Sequence, residues 1–271
     1  MAATEPKLLQ AGVASEEEHL RIQAEAWEPE VESWLDLMGV QPGWHCADLG
    51  CGPMGILVPL SRRAEWRGRV VGVENSSTRA EAARQFVKDN RLESVEVLTA
   101  SPYDPPLECG AFHLAHARFL IANQGREEEL LDELAALAHP GGIVAVQEPD
   151  TSSWNCYPSR PAFRRMVNVI TDACAEAGSD FNAGRRTFGL LRKLGLADVQ
   201  ARAAVVACGA GQPFRNALLH HANALRKHIL DADILAQPEL DEALSEVRQV
   251  LDDPNTLVMS YTVTQVWGRK I

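Results

Sequence analysis

The chain has 271 residues, of which 46% are hydrophobic, so it fits a large globular domain with ample core. Its formal net charge of -11 argues against DNA or RNA as the substrate, because nucleic-acid binders carry a basic face. Its six cysteines form no C-x-x-C pair, and no stretch is apolar enough for a signal peptide or a membrane span. We therefore expect a reduced cytoplasmic protein with no metal site and no membrane contact.

The chain opens with a segment, up to about Gly12, that we expect to be a disordered tail. Two helices are predicted next. The first begins at Ser15, where three glutamates favour a first turn, and the second begins at about Pro29 and ends at Gly39. Residues 1–40 are thus predicted to form an N-terminal helical segment.

Short apolar strands then alternate with amphipathic helices. Five strands are predicted, at 45–49, 69–74, 95–98, 112–117 and 143–147. Repeated strand–helix units of this kind indicate a parallel sheet that is covered on both faces, which is a doubly wound α/β fold.

The end of the chain departs from this alternation. A strand at 199–205 and a last strand at 259–268 flank a helical insertion, and the two strands predict an antiparallel edge. The expected architecture is a seven-stranded, mostly parallel sheet with a helical lid. We expect a cofactor-binding core at 41–207, the lid at 208–258 and the final strand of the core at 259–271.

A glycine-rich turn, Gly50-Cys51-Gly52-Pro53-Met54-Gly55, follows the first strand and opens a helix. This G-x-G-x-x-G pattern lets the backbone approach a ligand closely, and Glu74 ends the second strand at a distance suited to ribose hydroxyls. The pattern alone leaves open a nicotinamide-dependent oxidoreductase. Asp48 argues against it, because a carboxylate would repel a pyrophosphate but attract a cationic ligand.

The segment Ala47-Asp48-Leu49-Gly50-Cys51-Gly52-Pro53 resembles the first motif of the class I S-adenosylmethionine-dependent methyltransferases. Val71-Gly72-Val73-Glu74 resembles their acidic second motif. Phe112 to Arg118 resembles their fourth strand, and His139-Pro140-Gly141-Gly142 the turn before the fifth. The resemblance covers roughly residues 43–205, with the motifs in the family's order. It implies a Rossmann-like fold, S-adenosylmethionine as the cofactor, and methyl transfer.

The resemblance also implies which residues contact the cofactor, from its methionine part through the ribose to the adenine. They are Asp48, Gly50, Gly52, Glu74, Asn75, Ser101, Pro102, Ala117 and Arg118. The backbone at the first two glycines is expected to meet the cofactor's carboxylate, and Asp48 its ammonium group. Ser101 stands where the family often has an acidic residue next to the adenine, and His113 stands where it usually has an aspartate.

Residues for the reaction itself are less specific. Glu148, after the fifth strand, is a candidate base or polar contact, with a helix cap or an ion pair as the alternative. His220 and His221 lie on the first lid helix, where at most one of them is expected to face the pocket. Arg185 and Arg186 either bind an acidic substrate or balance the negative charge, and we favour the second.

Three aromatic residues after the fifth strand, Trp154, Tyr157 and Phe163, are candidates to line an apolar pocket. Methyltransferases that act on planar amino groups of DNA bases or glutamine often carry an Asn-Pro-Pro-Tyr-like run after the fourth strand, and this chain has none there. A helical lid also suits a ligand that can be enclosed. We therefore expect a small organic acceptor, of the kind that tailoring enzymes of secondary metabolism methylate. A family member that binds the cofactor without methylating is the alternative, and a homodimer is left open.

Overall fold

The computed structural model describes the backbone of residues 13–271 and the side chains of residues 18–122 and 125–271. The expected disordered tail lies outside the described residues. None of the described helices combines the length and apolarity that crossing a membrane requires.

Within residues 13–271, ten strands form two sheets. They are β1 (His45–Leu49), β2 (Arg69–Glu74), β3 (Val95–Thr99), β4 (Phe112–Arg118), β5 (Ala138–Asp150), β6 (Asn155–Tyr157), β7 (Ala197–Ala204), β8 (Ala207–Cys208), β9 (Leu257–Met259) and β10 (Thr262–Arg269). The large sheet has the order β3-β2-β1-β4-β5-β10-β7, and β10 runs antiparallel to both of its neighbours. The predicted seven-stranded, Rossmann-like sheet is confirmed. Its antiparallel edge is the pair β10–β7, with β7 outermost.

In the part of the chain that the structure describes, ten helices surround these sheets. They are α1 (Val13–Met38), α2 (Leu57–Ala64), α3 (Ser77–Asp89), α4 (Ile121–Gln124), α5 (Glu127–Leu137), α6 (Pro161–Glu176), α7 (Gly184–Lys193), α8 (Ala217–Ala224), α9 (Arg226–Asp231) and α10 (Gln237–Asp252). Alternate residues of each strand point to opposite faces, so Cys46 packs on one side of the sheet and Ala47 on the other. Helices α1 to α3 cover the first face, and α4, α5 and α7 cover the second.

The N-terminal segment is the single helix α1, whereas we predicted two helices, the second of which begins at about Pro29. Proline in a helix interior removes one hydrogen bond and costs about 3 kcal/mol. Here Trp27 lies just before the proline, Trp34 and Leu35 lie after it, and all three are buried. Burying three such side chains contributes several kcal/mol, at about 1.5–3 kcal/mol each, which outweighs the lost bond.

A third apolar cluster sits beside the sheet. Helices α6, α8, α9 and α10 pack there with the first half of α1 and with the small sheet, whose strand order is β6-β9-β8. The insertion that we expected to hold two helices contains α8, α9 and α10. The division of the chain into four segments stays a prediction.

Candidate functional site

A cavity opens at the carboxyl ends of β1, β2 and β4. The glycine turn forms its floor on one side, and α1 and α8 close the other side through His19, Gln23 and His221. Parallel α/β sheets bind their ligands at this edge, so the position agrees with a functional site.

The glycine turn needs its glycines for two separate reasons. Gly50, Gly52 and Gly55 have φ of +69°, +57° and +47°, which L side chains rarely adopt. A Cβ on Gly55 would also lie 2.6 Å from Asp48 Oδ2. The Gly50 N–H donates to Val73 O at 2.7 Å, so this residue shapes the turn and its N–H is not free for a cofactor carboxylate.

Asp48 is held from two sides at the end of β1. Its Oδ1 is 2.7 Å from His116 Nδ1, and its Oδ2 accepts from the Ile56 N–H at 3.4 Å. Both side chains of the pair are buried, and Asp48 lines the cavity. Because a carboxylate only accepts hydrogen bonds, His116 Nδ1 carries the proton of this pair.

Glu74 ends β2 with its carboxylate buried and oriented. Oε2 accepts from the Gly52 N–H at 3.0 Å, and Oε1 accepts from the Ser76 N–H at 2.9 Å. Glu74 and the exposed Asn75 both line the cavity, beside the glycine turn. The carboxylate keeps lone pairs that can accept hydrogen bonds from ligand hydroxyls.

Two of the expected cofactor residues lie elsewhere. Ser101 is exposed, and its hydroxyl accepts from the Tyr103 N–H at 3.2 Å, whereas the neighbouring Pro102 does line the cavity. Ala117 is fully buried on the second face of the sheet, because the side chains of a strand alternate. Arg118, the next residue, lines the cavity as expected.

Arg118 places a guanidinium at the wall of the cavity. Its Nη2 donates to Gly55 O at 3.2 Å, and its Cζ lies 5.4 Å from the centroid of the Phe119 ring. Burial lowers the pKa of this group from its ordinary value of 12.5, and Asp48 and Tyr261 act in the opposite direction. An arginine side chain still keeps its charge at neutral pH.

Glu148 caps a helix and does not line the cavity, which corrects its place among the catalytic candidates. Its carboxyl accepts from the N–H groups of Leu120, Ile121 and Ala122 at 3.2, 3.0 and 3.1 Å. Burial raises its pKa to about 8, while the three N–H donors lower it. The alternative that we had named for this residue, a helix cap, describes it.

Of the two lid histidines, His221 lines the cavity and His220 does not. His221 Nδ1 is 2.8 Å from Ala217 O, and burial lowers its pKa to about 4. His19 of α1 lies beside both of them, with ring centroids 5.1 Å from His220 and 4.9 Å from His221. No histidine, cysteine or carboxylate group among the described side chains is arranged to hold a metal ion.

The remaining candidates also lie outside the cavity. Trp154 and Phe163 are core residues, and Tyr157 is exposed. Arg185 forms an ion pair with Asp150, and Arg186 forms ion pairs with Glu127 and Asp180. Both arginines therefore balance charge in this structure, as we favoured.

Sequence reasoning missed several residues of the site. His19 and Gln23 come from α1, and Tyr261 comes from the segment before β10, more than 200 residues away. Gln23 Nε2 donates to Tyr261 Oη at 2.8 Å, which joins these distant segments. His116 could have been found, because it lies on β4 at the position that pairs with Asp48 in the parallel register.

Comparisons with known proteins agree with this fold. A family model described as a methyltransferase domain matches residues 46–142. A trans-aconitate 2-methyltransferase of Variovorax paradoxus is 32% identical over 126 residues, which are 46% of this chain and 44% of that protein. A nocamycin O-methyltransferase of Saccharothrix syringae is 26% identical over 155 residues, which are 56% of this chain and 53% of that protein. The chain spans about half the length of the curated relatives it matches.

A solved structure shows the same fold over nearly the whole chain. It is a geranyl diphosphate C-methyltransferase from Streptomyces coelicolor, in complex with Mg²⁺, geranyl diphosphate and S-adenosyl-L-homocysteine. It covers 99% of this chain and 88% of its own, with a TM-score of 0.55 and 16% identity. The family-model match shows that residues 46–142 of this chain form a methyltransferase domain, and the sheet order and this solved structure agree with the fold of the class I S-adenosylmethionine-dependent methyltransferases.

Proposed function

We propose that this protein transfers the methyl group of S-adenosylmethionine to a small organic molecule. The observation that carries the proposal is a single cavity that runs from Asp48 and Glu74, at the strand ends, to the helices α1 and α8. One end has the chemistry that the cofactor needs, and the other end is enclosed by helices, which suits a small acceptor.

The residues at the strand ends fit this cofactor. Asp48 and Glu74 are buried carboxylates that would attract cationic groups and accept hydrogen bonds from ribose hydroxyls. At Gly52 an added Cβ would meet nothing within 4 Å, so the backbone is open to a ligand there. The bound cofactor supplies a methyl group that is already activated on a cationic sulfur.

The chain itself has to orient the acceptor and exclude water. Phe119, Phe181 and Tyr261 line the far end of the cavity, with ring centroids 6.2 Å apart between Phe119 and Tyr261 and 5.3 Å apart between Phe181 and Tyr261. These rings favour an acceptor with an apolar body. A nicotinamide cofactor is disfavoured, because Asp48 stands where its pyrophosphate would lie.

Replacing Glu74 tests the cofactor site. In Glu74→Gln one carboxylate acceptor becomes an N–H₂ donor, so we expect S-adenosylmethionine to bind more weakly by about 1–3 kcal/mol. Isothermal titration calorimetry of the purified chain measures this difference.

Glu96→Gln is the matched control, because Glu96 lies on the adjacent strand β3 and its exposed carboxylate pairs with Arg69. The control is expected to bind like the unmodified protein. Equal affinities for both variants would remove Glu74 from the site, and no binding of millimolar cofactor by the unmodified protein would contradict the proposal.

Methyl transfer itself is tested by incubating the protein and S-adenosylmethionine with a small-molecule extract of cells. The proposed activity forms S-adenosylhomocysteine only when both protein and extract are present. Binding of the cofactor without product would favour the alternative, a family member that does not methylate.

As part of the same proposal, the protein is cytoplasmic and acts on neither nucleic acid nor membrane. The net charge of -11 supports the first exclusion. The segments 1–40, 41–207, 208–258 and 259–271 are proposed as its domains, with the lid over the acceptor. A homodimer stays open.

A further inference from the structure

Arg118 has more hydrogen-bond donors than partners. A guanidinium carries five N–H donors, and the bond to Gly55 O uses one of them. Among the side chains of residues 18–122 and 125–271, no carboxylate lies within ion-pair distance of this group. Such a group at a cavity wall is open to an anion.

Arg215 shows what a buried arginine does when it serves only the fold. It is 3% exposed and donates to the carbonyl oxygens of Leu251 at 2.9 Å and Asp253 at 2.8 Å, and also to those of Cys208 and Thr256. Arg118 has no such set of carbonyls around it, so its place in the structure is not explained by internal bonding.

Arg118 stands between the two ends of the cavity, because it donates to Gly55 O in the glycine turn and also reaches the aromatic acceptor end. Its guanidinium lies over Phe119, whose ring neighbours Tyr261, and Tyr261 in turn neighbours Phe181. Arg79, the other arginine in the lining, lies at the opposite end, where its Nε is 3.4 Å from Glu74 Oε1.

We propose that Arg118 binds the carboxylate of the methyl acceptor, and that the acceptor is a small monocarboxylate whose apolar body lies against Phe119, Phe181 and Tyr261. The inference rests on the proposed function. A guanidinium recognises a carboxylate through two parallel N–H···O bonds, which fix orientation as well as charge. One guanidinium balances one negative charge, which suits a ligand with a single carboxylate. His221 adds no positive charge, because it is neutral at pH 7.

The methionine part of S-adenosylmethionine also carries a carboxylate, and a guanidinium recognises either carboxylate in the same way. The backbone N–H groups of Met54 and Gly55 have no acceptor among the described residues. These donors in the glycine turn are available to the cofactor's carboxylate, which therefore does not require Arg118.

Calorimetry with the full chain saturated with S-adenosylhomocysteine tests the proposal. The probes are benzoate, 3-phenylpropionate and octanoate, each compared with its uncharged amide. We expect at least one carboxylate to bind about tenfold or more tightly than its amide, as for a charge-assisted hydrogen bond. Arg118→Met should abolish this preference without changing the affinity for S-adenosylhomocysteine, which also shows that the variant is folded.

Arg185→Met is the matched control, because Arg185 lies outside the cavity and its charge is paired with Asp150. It should keep the preference. An unmodified protein that binds S-adenosylhomocysteine but prefers no carboxylate over its amide would overturn this inference alone. If Arg118→Met instead weakens S-adenosylhomocysteine binding and keeps the preference, Arg118 belongs to the cofactor's carboxylate. If S-adenosylhomocysteine does not bind at all, the proposed function fails as well.

Discussion

At the scale of single residues, Asp48 owes its orientation to His116. The two side chains sit opposite each other on β1 and β4, and their hydrogen bond of 2.7 Å is buried. Trp34 of α1 packs against the same histidine, with ring centroids 5.7 Å apart. The carboxylate at the wall of the cavity is therefore fixed by a residue that does not line the cavity.

Replacing this histidine should weaken both the fold and the cofactor site. His116→Phe keeps a ring against Trp34 but removes the donor to Asp48, and an unsatisfied buried acceptor costs about 1–3 kcal/mol. We expect that loss in the free energy of unfolding, measured with urea. We also expect a lower affinity for S-adenosylmethionine, because the carboxylate can rotate.

His113→Phe provides the control for affinity. His113 lies on the same strand, where it stacks on Trp44 with ring centroids 5.4 Å apart, and it does not line the cavity. Its replacement is expected to leave cofactor affinity intact. Indistinguishable affinities for the two variants would show that the orientation of Asp48 does not matter for binding.

At the scale of elements, the short helix α4 depends on a side chain from the neighbouring strand. The first N–H groups of a helix have no partner within it. Glu148 of β5 accepts from three consecutive N–H groups at this end, although it is fully buried. The cap ties α4 to the sheet beside Arg118 and the cavity.

Changing the cap should therefore reduce stability. Glu148→Gln retains one oxygen but presents an N–H₂ group to backbone donors, so we expect a loss of about 1–3 kcal/mol in the free energy of unfolding. Glu128→Gln, on the exposed surface of α5, should change it little. A Glu148→Gln protein with normal stability and no methyl transfer would return this residue to catalysis.

At the scale of the whole molecule, three histidines join the N-terminal helix to the lid. Burial lowers the pKa of His19 to about 3 and of His221 to about 4, from an ordinary value of 6.5. The pKa of His220 is lowered for the same reason, with Glu18 acting against it. The folded protein thus holds these rings neutral, while the unfolded chain protonates them below pH 6.5.

The consequence is a loss of stability in acid. Between pH 6.5 and about 4 the unfolded state binds more protons at His19 and His221, so the free energy of unfolding should fall as the pH falls. Urea unfolding across this range measures the slope. The double variant His19→Gln, His221→Gln should have a shallower slope. An unchanged slope in the double variant would contradict this account.

The strands of this fold could be predicted closely, because local patterns specify them. β1 and β2 lie where the apolar runs between turn residues placed them. The single helix α1 could not be predicted, because the burial of Trp27 and Trp34 by distant parts of the chain overrides the local effect of Pro29.

The residues of the site also divide into those that local sequence patterns predict and those that depend on the rest of the fold. Asp48 and Glu74 follow from their places at strand ends, as does Arg118. Ser101 and Ala117 depend on which way a side chain turns, and that is decided by a local hydrogen bond and by the register of β4. The contribution of α1 and Tyr261 could not be predicted, since no spacing in the sequence indicates which helix closes the cavity.

Pro29 divides α1 into two parts with different neighbours. Before Pro29, Trp27 belongs to the apolar cluster of α6, α8, α9 and α10. After it, Val31 and Trp34 belong to the cluster on the face of the large sheet that α1 to α3 cover. The missing N–H of the proline leaves the hydrogen-bond ladder interrupted at the border between these clusters. The half of α1 that covers the cavity is therefore held by the helical cluster, through contacts such as the bond from Gln23 to Tyr261, and the other half is held by the sheet.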